Sequence, residues 1–106
     1  MNQLYNIIKT AAEDKKASGI SSYDVSSRSD LCNQHFICYG QNQRHTQTLA
    51  KTIETKIKED LDNTKPYAIE GIQEGRWILL DYGDTIVHIM QESLKEVYRL
   101  EELWQH

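Results

Sequence analysis

Four side chains in the C-terminal half of the sequence have the chemistry of a divalent metal site: Glu70, Asp81, Asp84 and His88. Carboxylates and an imidazole are ligands for such an ion, and a metal held there would support nucleotidyl transfer or phosphoester hydrolysis. No helical or loop spacing typical of a metal site links them. Asp is also selected in turns for its local hydrogen bonds. The sequence therefore favours Asp81 and Asp84 as turn residues and His88 as a strand histidine. A metal-dependent nucleotidyltransferase-like or phosphoester enzyme is the alternative.

Other reactive side chains lack the motifs that would activate them. The polar loop with Ser26, Ser27 and Ser29 has no Gly-x-Ser-x-Gly elbow, and Cys32 is a lone thiol. Segment 40–44 ends in Arg44 at a predicted helix start but has one glycine and no Lys-Ser/Thr pair, so it is not a phosphate-binding loop. These patterns predict no catalytic residue, no metal and no cofactor, and hence a protein that is not an enzyme.

Length and composition predict one domain over residues 1–106. The chain has 106 residues, 39% of them hydrophobic, and one proline, which suits a modest core rather than disorder. It has no apolar run long enough to cross a bilayer and no signal-peptide segment at its N-terminus, so we expect a cytoplasmic location and no membrane partner. Cys32 and Cys38 are six positions apart without a CxxC motif, and Cys38 is expected to be a small buried hydrophobe.

The net charge limits the class of partner. It is −4 at pH 7, which argues against broad nucleic-acid binding, because that activity requires a basic surface. We therefore expect no direct sequence-specific contact with nucleic acid. An acidic chain instead suits a basic protein partner.

Hydrophobic periodicity predicts an α/β fold in the order α-β-β-α-β-β-β-α, with a mixed five-stranded sheet. The first helix should end at Ser18-Gly19. The second, capped by Asn42, should leave Thr46 in solvent, and the last should begin near Gln91. The inward-facing positions predicted for these helices are, in order, Leu4, Ile7, Ile8, Ala11 and Ala12; Leu49, Ile53, Ile57 and Leu61; Leu94, Val97 and Tyr98. Strands are expected at Ile20–Val25 and His35–Tyr39.

The last three strands are predicted to form an antiparallel meander over residues 67–90. Glu74-Gly75 and Gly83 mark its two turns, and Gly83 would supply the positive φ of a hairpin. Because side chains alternate along a strand, Trp77, Leu79 and Asp81 should share one face. Both faces of the meander are largely apolar, so one of them is either covered by the chain itself or shared with a partner.

Residues of the meander resemble the ribosomal silencing factor family, also called the Iojap or RsfS family. The motif is Glu70-Gly71, then Arg76 to Asp84 (Arg-Trp-Ile-Leu-Leu-Asp-Tyr-Gly-Asp), then Val87-His88, and the tail matches to Trp104. Upstream matches extend the similarity to Leu4. The chain departs from the family at Gln34-His35, where an Asp followed by an aromatic residue is usual.

This resemblance implies a small homodimer with a nucleotidyltransferase-like fold that lacks the Gly-Ser and Asp-x-Asp signature of the transferases. It implies binding to the large ribosomal subunit through its fourteenth L-protein. Joining of the small subunit would then be blocked sterically, and translation repressed under nutrient limitation. The contact residues we expect are Trp77, Leu79, Asp81, Tyr82 and Asp84, supported by Glu70, His88 and Arg44.

Overall fold

The fold follows the element order that the hydrophobic periodicity predicts. The structure, a computed structural model, describes residues 3–24 and 34–99. The elements within them are α1 (Gln3–Asp14), β1 (Ser18–Asp24), β2 (Gln34–Gly40), α2 (Gln43–Asp60), β3 (Ala68–Glu70), β4 (Trp77–Asp81), β5 (Thr85–Gln91), a 3-10 turn (Glu92–Leu94) and α3 (Lys95–Tyr98). Ser26, Ser27, Ser29, Cys32, Val25 and the tail from Leu100 lie outside the described residues.

The strands form one mixed sheet in the order β1-β2-β5-β4-β3. β5 lies in its centre, parallel to β2 and antiparallel to β4. β3 pairs antiparallel with β4, so the predicted meander and the predicted mixed five-stranded sheet are both confirmed. β3 is only three residues long, because Ala68–Glu70 alone pair with β4.

One face of the sheet is covered by α1 and α2 and forms the main core. The helices contribute Ile8, Ala11, Ala12, Leu49, Ala50, Ile53 and Ile57, all buried, and β2, β4 and β5 contribute every second residue. The predicted stripe is confirmed at Leu49, Ile53 and Ile57, which are buried, while Leu61 caps the helix and packs against the core partly exposed. Each buried aliphatic side chain stabilises the fold by about 1.5–3 kcal/mol. Cys38 is fully buried in this core, and burial raises the pKa of its thiol to about 12.

The opposite face, which we call the distal face, carries a smaller cluster. Ile37, Tyr39 and Met90 are buried there, and Trp77 and Leu94 pack against them partly exposed. The 3-10 turn and α3 hold one end of this face. The Lys95 ammonium lies 5.2 Å from the centre of the Tyr39 ring, and the Tyr98 ring packs on Trp77. The distal face is therefore less fully covered than the helical face.

Three predictions about the helices are wrong. α1 ends at Asp14, with Lys16 at φ 63°, so Ser18-Gly19 begins β1 rather than stopping the helix. Thr46 is fully buried, because its hydroxyl bonds to the carbonyls of Gln43 and Gly75 instead of to water. In α3, Val97 is 69% exposed rather than inward-facing.

The turns of the meander require glycine at the predicted places. Gly83 has φ +86°, and a β-carbon on it would lie 3.0 Å from the Tyr67 ring. Gly75 has φ +66° and lies against the first turn of α2, where a β-carbon would be 2.7 Å from Gln43 Cγ. Asn42 caps that turn, with its side-chain oxygen accepting from the His45 amide at 2.9 Å, as predicted. The loop between β3 and β4 therefore packs against the first turn of α2.

Candidate functional site

The predicted contact residues of β4 share the distal face, as strand alternation requires. Trp77, Leu79 and Asp81 are all partly exposed, whereas Ile78 and Leu80 between them are buried under the helices. The register places Leu79 beside His88 of β5 on one side and beside Glu70 of β3 on the other. Trp77 and Leu79 thus form an apolar strip along β4, which we call the strip, and Glu70 lies beside it on the edge strand of the sheet.

Tyr82 and Asp84 do not extend this strip. Tyr82 is 8% exposed and belongs to the core under the helices, so its burial does not favour the contact role expected for it. Burial and the nearby Glu54 raise the pKa of its hydroxyl, which stays protonated. Asp84 is exposed at the β4–β5 turn. The Asp81 carboxylate accepts a hydrogen bond from the Gly83 amide at 2.8 Å, the turn role that its residue type favours.

A cleft lies beside the strip at the edge of the sheet. It is lined by Glu70, Gly71, Glu74, Trp77 and Leu79 and has a volume of about 380 Å³. Its apolar side is formed by Trp77 and Leu79, and both of its charged residues are acidic and exposed. Glu74 is not among the contact residues expected from the sequence, because a turn glutamate carries no local signal of which face it will border.

Behind the strip, three rings are joined by hydrogen bonds. The Trp77 indole nitrogen lies 3.1 Å from His88 Nδ1, and His88 Nε2 lies 3.0 Å from His35 Nδ1. An indole N–H can only donate, so His88 Nδ1 accepts and its proton is on Nε2. That N–H donates in turn to His35 Nδ1, which leaves the proton of neutral His35 on its Nε2.

This chain of rings holds both histidines neutral. Burial, together with the neighbouring His35, lowers the pKa of His88 to about 3, and burial also lowers the pKa of His35. A proton added to His35 Nδ1 would face the N–H of His88. His88 therefore orients Trp77 rather than acting as an acid or base at neutral pH.

The residues considered for a metal site are not brought together. Glu70, Asp81, Asp84 and His88 spread over three strands and a turn. Over residues 3–24 and 34–99 there is no group of three or more His, Cys, Asp or Glu placed to hold a metal ion. Both ring nitrogens of His88 are already hydrogen-bonded.

Arg44 lies away from the cleft. It is exposed in the first turn of α2, the helix that covers the opposite face of the sheet, and its expected supporting role stays a prediction. None of the helices in the described ranges is both long and apolar enough to cross a membrane.

The chain is similar to proteins that act on ribosomes. The family model described as "Ribosomal silencing factor during starvation" matches residues 1–106. The ribosomal silencing factor RsfS of Bacillus subtilis is 33% identical over 106 residues, which cover 98% of this chain and 88% of that protein. A crystal structure of a Chromobacterium violaceum protein matches with a TM-score of 0.90 at 29% identity, over 98% of this chain and 87% of that one.

A more distant match is the mouse "Mitochondrial assembly of ribosomal large subunit protein 1". It is 30% identical over 66 residues, which cover 61% of this chain and 29% of that protein. The predicted resemblance is therefore confirmed along the chain, and the predicted fold is confirmed by a solved structure.

Proposed function

The chain belongs to the RsfS family of ribosomal silencing factors, and from this premise we propose that it binds the large ribosomal subunit and prevents the small subunit from joining. The expected docking partner is the fourteenth L-protein of the large subunit. The bound protein would act by occupying space that the small subunit needs, which requires no chemical step. It would work in the cytoplasm, where the two subunits meet.

The observation that carries this proposal is the cleft on the distal face. Its apolar part, Trp77 and Leu79, is only partly buried by the chain, and a Trp at the centre of an interface is one of the residue types that contribute most of the affinity. Its acidic residues, Glu70 and Glu74, are exposed and suit a basic ribosomal protein. Opposite charges at the rim mainly raise the association rate and make it depend on salt.

Co-sedimentation with purified large subunits tests the proposal. The informative variant is the double reversal Glu70→Lys, Glu74→Lys, because both side chains are exposed and their substitution should leave the fold intact. We expect weaker binding, with the greatest loss at low salt. Its matched control, Glu13→Lys with Asp60→Lys, changes the same number of charges at exposed positions on α1 and α2.

Two results would reject the proposal. One is that the wild-type protein remains in the supernatant with large subunits at micromolar concentration. The other is that both double variants bind as tightly as the wild type. Addition of small subunits tests the blocking step, because bound protein should reduce the yield of joined ribosomes in a sucrose gradient.

The enzymatic alternative is not favoured. The family and its named members are regulatory factors associated with ribosomes. Calorimetric titration with magnesium or a nucleoside triphosphate provides the test. We expect no heat of binding, and Asp84→Asn should change no rate. Hydrolysis or transfer of nucleotide by the pure protein, lost in Asp84→Asn, would instead establish the enzyme.

A further inference from the structure

The outer surface of α2 carries a single line of cations and hydroxyls. Arg44, Thr48, Lys51, Thr55 and Lys58 are all exposed and follow one another at alternating spacings of four and three residues. At 3.6 residues per turn these positions fall within about 80° of arc. They lie opposite the buried face of the same helix. We call these five residues the basic stripe.

The basic stripe concentrates positive charge on an acidic protein. The chain has a net charge of −4, yet the stripe contains three cations and no carboxylate. Within residues 3–24 and 34–99 the only salt bridge is Arg99–Glu96, so the stripe is not neutralised by ion pairs. Glu54 borders the stripe, three residues after Lys51 and four before Lys58, but it forms no salt bridge with either within the described residues.

Helix stability does not account for the cation at the start of the stripe. The first turn of α2 contains no acidic residue and does contain Arg44. The N-terminus of a helix is its positive end, so a cation there is unfavourable and an anion is favourable. Lys58, in contrast, is in the last turn, where a cation is favourable. A bound anion would turn the unfavourable position of Arg44 into a favourable one.

A cleft adjoins the first half of the stripe. Arg44, Gln47, Thr48 and Lys51 line it together with Ile72 and Gln73 of the β3–β4 loop, and its volume is about 360 Å³. The Gln47 amide donates to the carbonyls of both loop residues, at 2.9 and 3.0 Å. The loop is thereby fixed against α2, and the two cations border a preformed depression.

We propose that the basic stripe binds the phosphate backbone of RNA on the large subunit, while the distal face binds ribosomal protein. This inference rests on the proposed ribosomal function. The stripe alternates cations with hydroxyls, which are the usual donors to phosphate oxygens, and it lacks the apolar centre expected of a protein interface. It spans about 21 Å from Arg44 to Lys58, so several phosphates fit along it. Such contacts position the protein without reading sequence, which agrees with an acidic chain that is no general nucleic-acid binder.

The test is the salt dependence of binding to intact large subunits. Each phosphate contact contributes roughly 0.7–0.9 to the slope of log K against log salt concentration. Single changes Arg44→Gln, Lys51→Gln and Lys58→Gln should each lower the slope by about that amount, and the triple variant by about 2–3. The matched control is Lys56→Gln, which removes the same charge from an exposed position of α2 outside the stripe. Circular dichroism should show all these variants folded, because Gln is a good helix former.

The outcomes separate this inference from the proposed function. If the triple variant has the same salt slope and affinity as the wild type, the proposal that the basic stripe binds RNA is wrong, even if the protein binds subunits normally. Absence of any wild-type binding to subunits rejects the proposed function. In that case binding to deproteinised large-subunit RNA at low salt tests the basic stripe, and the triple variant should bind this RNA more weakly than Lys56→Gln does. If the triple variant loses subunit affinity while wild-type protein ignores the deproteinised RNA, an acidic protein occupies the stripe and the RNA assignment is wrong.

Discussion

Trp77 contributes both to the packing of the distal face and to its surface. Its ring packs on Tyr98, with centroids 5.0 Å apart, and its N–H donates to His88, yet the residue remains partly exposed beside the acidic cleft. A strand Trp in the sequence is compatible with either a core or an interface position. The structure shows that the two are not exclusive here, so truncation to Ala would disturb packing and surface together.

Trp77→Phe removes the indole N–H and part of the ring while it keeps an aromatic side chain at this position. We expect it to lower the free energy of unfolding by about 1–3 kcal/mol, because His88 Nδ1 is left without its donor in a buried position and some ring contact is lost. Urea denaturation measures this change. Tyr98→Phe removes a polar group from the ring that packs on Trp77, at an exposed position, and should change stability by less than about 0.5 kcal/mol. A loss for Trp77→Phe no larger than that for Tyr98→Phe would show that neither the Trp77–His88 bond nor the larger indole ring adds measurably to stability.

The lowered pKa of His88 predicts how stability depends on pH. In the unfolded chain His88 takes up a proton near pH 6.5, whereas in the folded protein its pKa is about 3. The unfolded state therefore binds more protons between these values. The contribution of His88 to the free energy of unfolding is therefore fully present above pH 6.5. It falls as the pH drops below that value, by up to about 1.4 kcal/mol per pH unit for one group.

His88→Gln provides the comparison, because Gln offers one acceptor and one donor in place of the two ring nitrogens but cannot be protonated. Unfolding free energies measured by urea from pH 7 to pH 4.5 should fall less steeply for this variant than for the wild type. Since carboxylates contribute equally to both proteins, the difference reports on the histidine. If the free energies of unfolding of the two proteins fell in parallel with pH, the lowered pKa of His88 would be contradicted.

The residues of this site are easier to predict from the sequence than the hydrogen bonds between them. Alternation along β4 correctly placed Trp77 and Leu79 on one face, because a two-residue period needs no tertiary information. The ring chain needs the register of three strands, in which β2 and β5 are adjacent although 44 residues of sequence, 41–84, separate them. Local pattern cannot supply that register. The same alternation places Tyr82 with Ile78 and Leu80, on the face that the helices bury, so its expected contact role depended on its place at the turn and not on the strand period.

At the scale of elements, the start of α2 organises one side of the molecule. Gly40 at the end of β2, the Asn42 cap and the β3–β4 loop all meet the first turn of this helix. Thr46 lies at their junction, with its hydroxyl 2.7 Å from the Gly75 carbonyl. Its helical position gave no sign of burial, because the apolar stripe of α2 begins at Leu49. Tertiary contact with the loop, absent from any local pattern, determines its environment.

Thr46→Val tests this junction, since it replaces the hydroxyl with a methyl group of similar size. We expect a loss of about 1–2 kcal/mol in the free energy of unfolding, because one hydrogen bond is lost and a buried carbonyl loses a partner. The Gly75 carbonyl keeps its second donor, Gln91 Nε2 at 3.0 Å, which limits the loss. Thr55→Val makes the same change at an exposed position of the helix and should have little effect. A matching loss in Thr55→Val would attribute the effect to helix propensity instead.

At the scale of the whole molecule, the two faces of the sheet are unequally covered. α1 and α2 fill one face, whereas on the other the described chain leaves Trp77 and Leu79 partly exposed, with Tyr98 42% exposed beside them. The edge strand β3 is exposed along its length, and Tyr67 before it is 83% exposed. The two apolar faces of the predicted meander left open whether the chain or a partner covers the second face, and Trp77 and Leu79, expected from the sequence as contact residues, are the ones left partly exposed.

The uncovered surface, with the family resemblance, predicts a homodimer. Sedimentation velocity at micromolar concentration should give about twice the 12.4 kDa mass of the chain, and a single species of monomer mass would remove the prediction. Leu79→Asp decides whether the dimer uses the centre of the distal face, because a charge there cannot be buried in an apolar contact without a large cost. We expect a dimer that no longer co-sediments with large subunits, which assigns the strip to the ribosome and the dimer to another surface. A monomer that still binds large subunits would reverse both assignments and make the distal face the interface between the two copies.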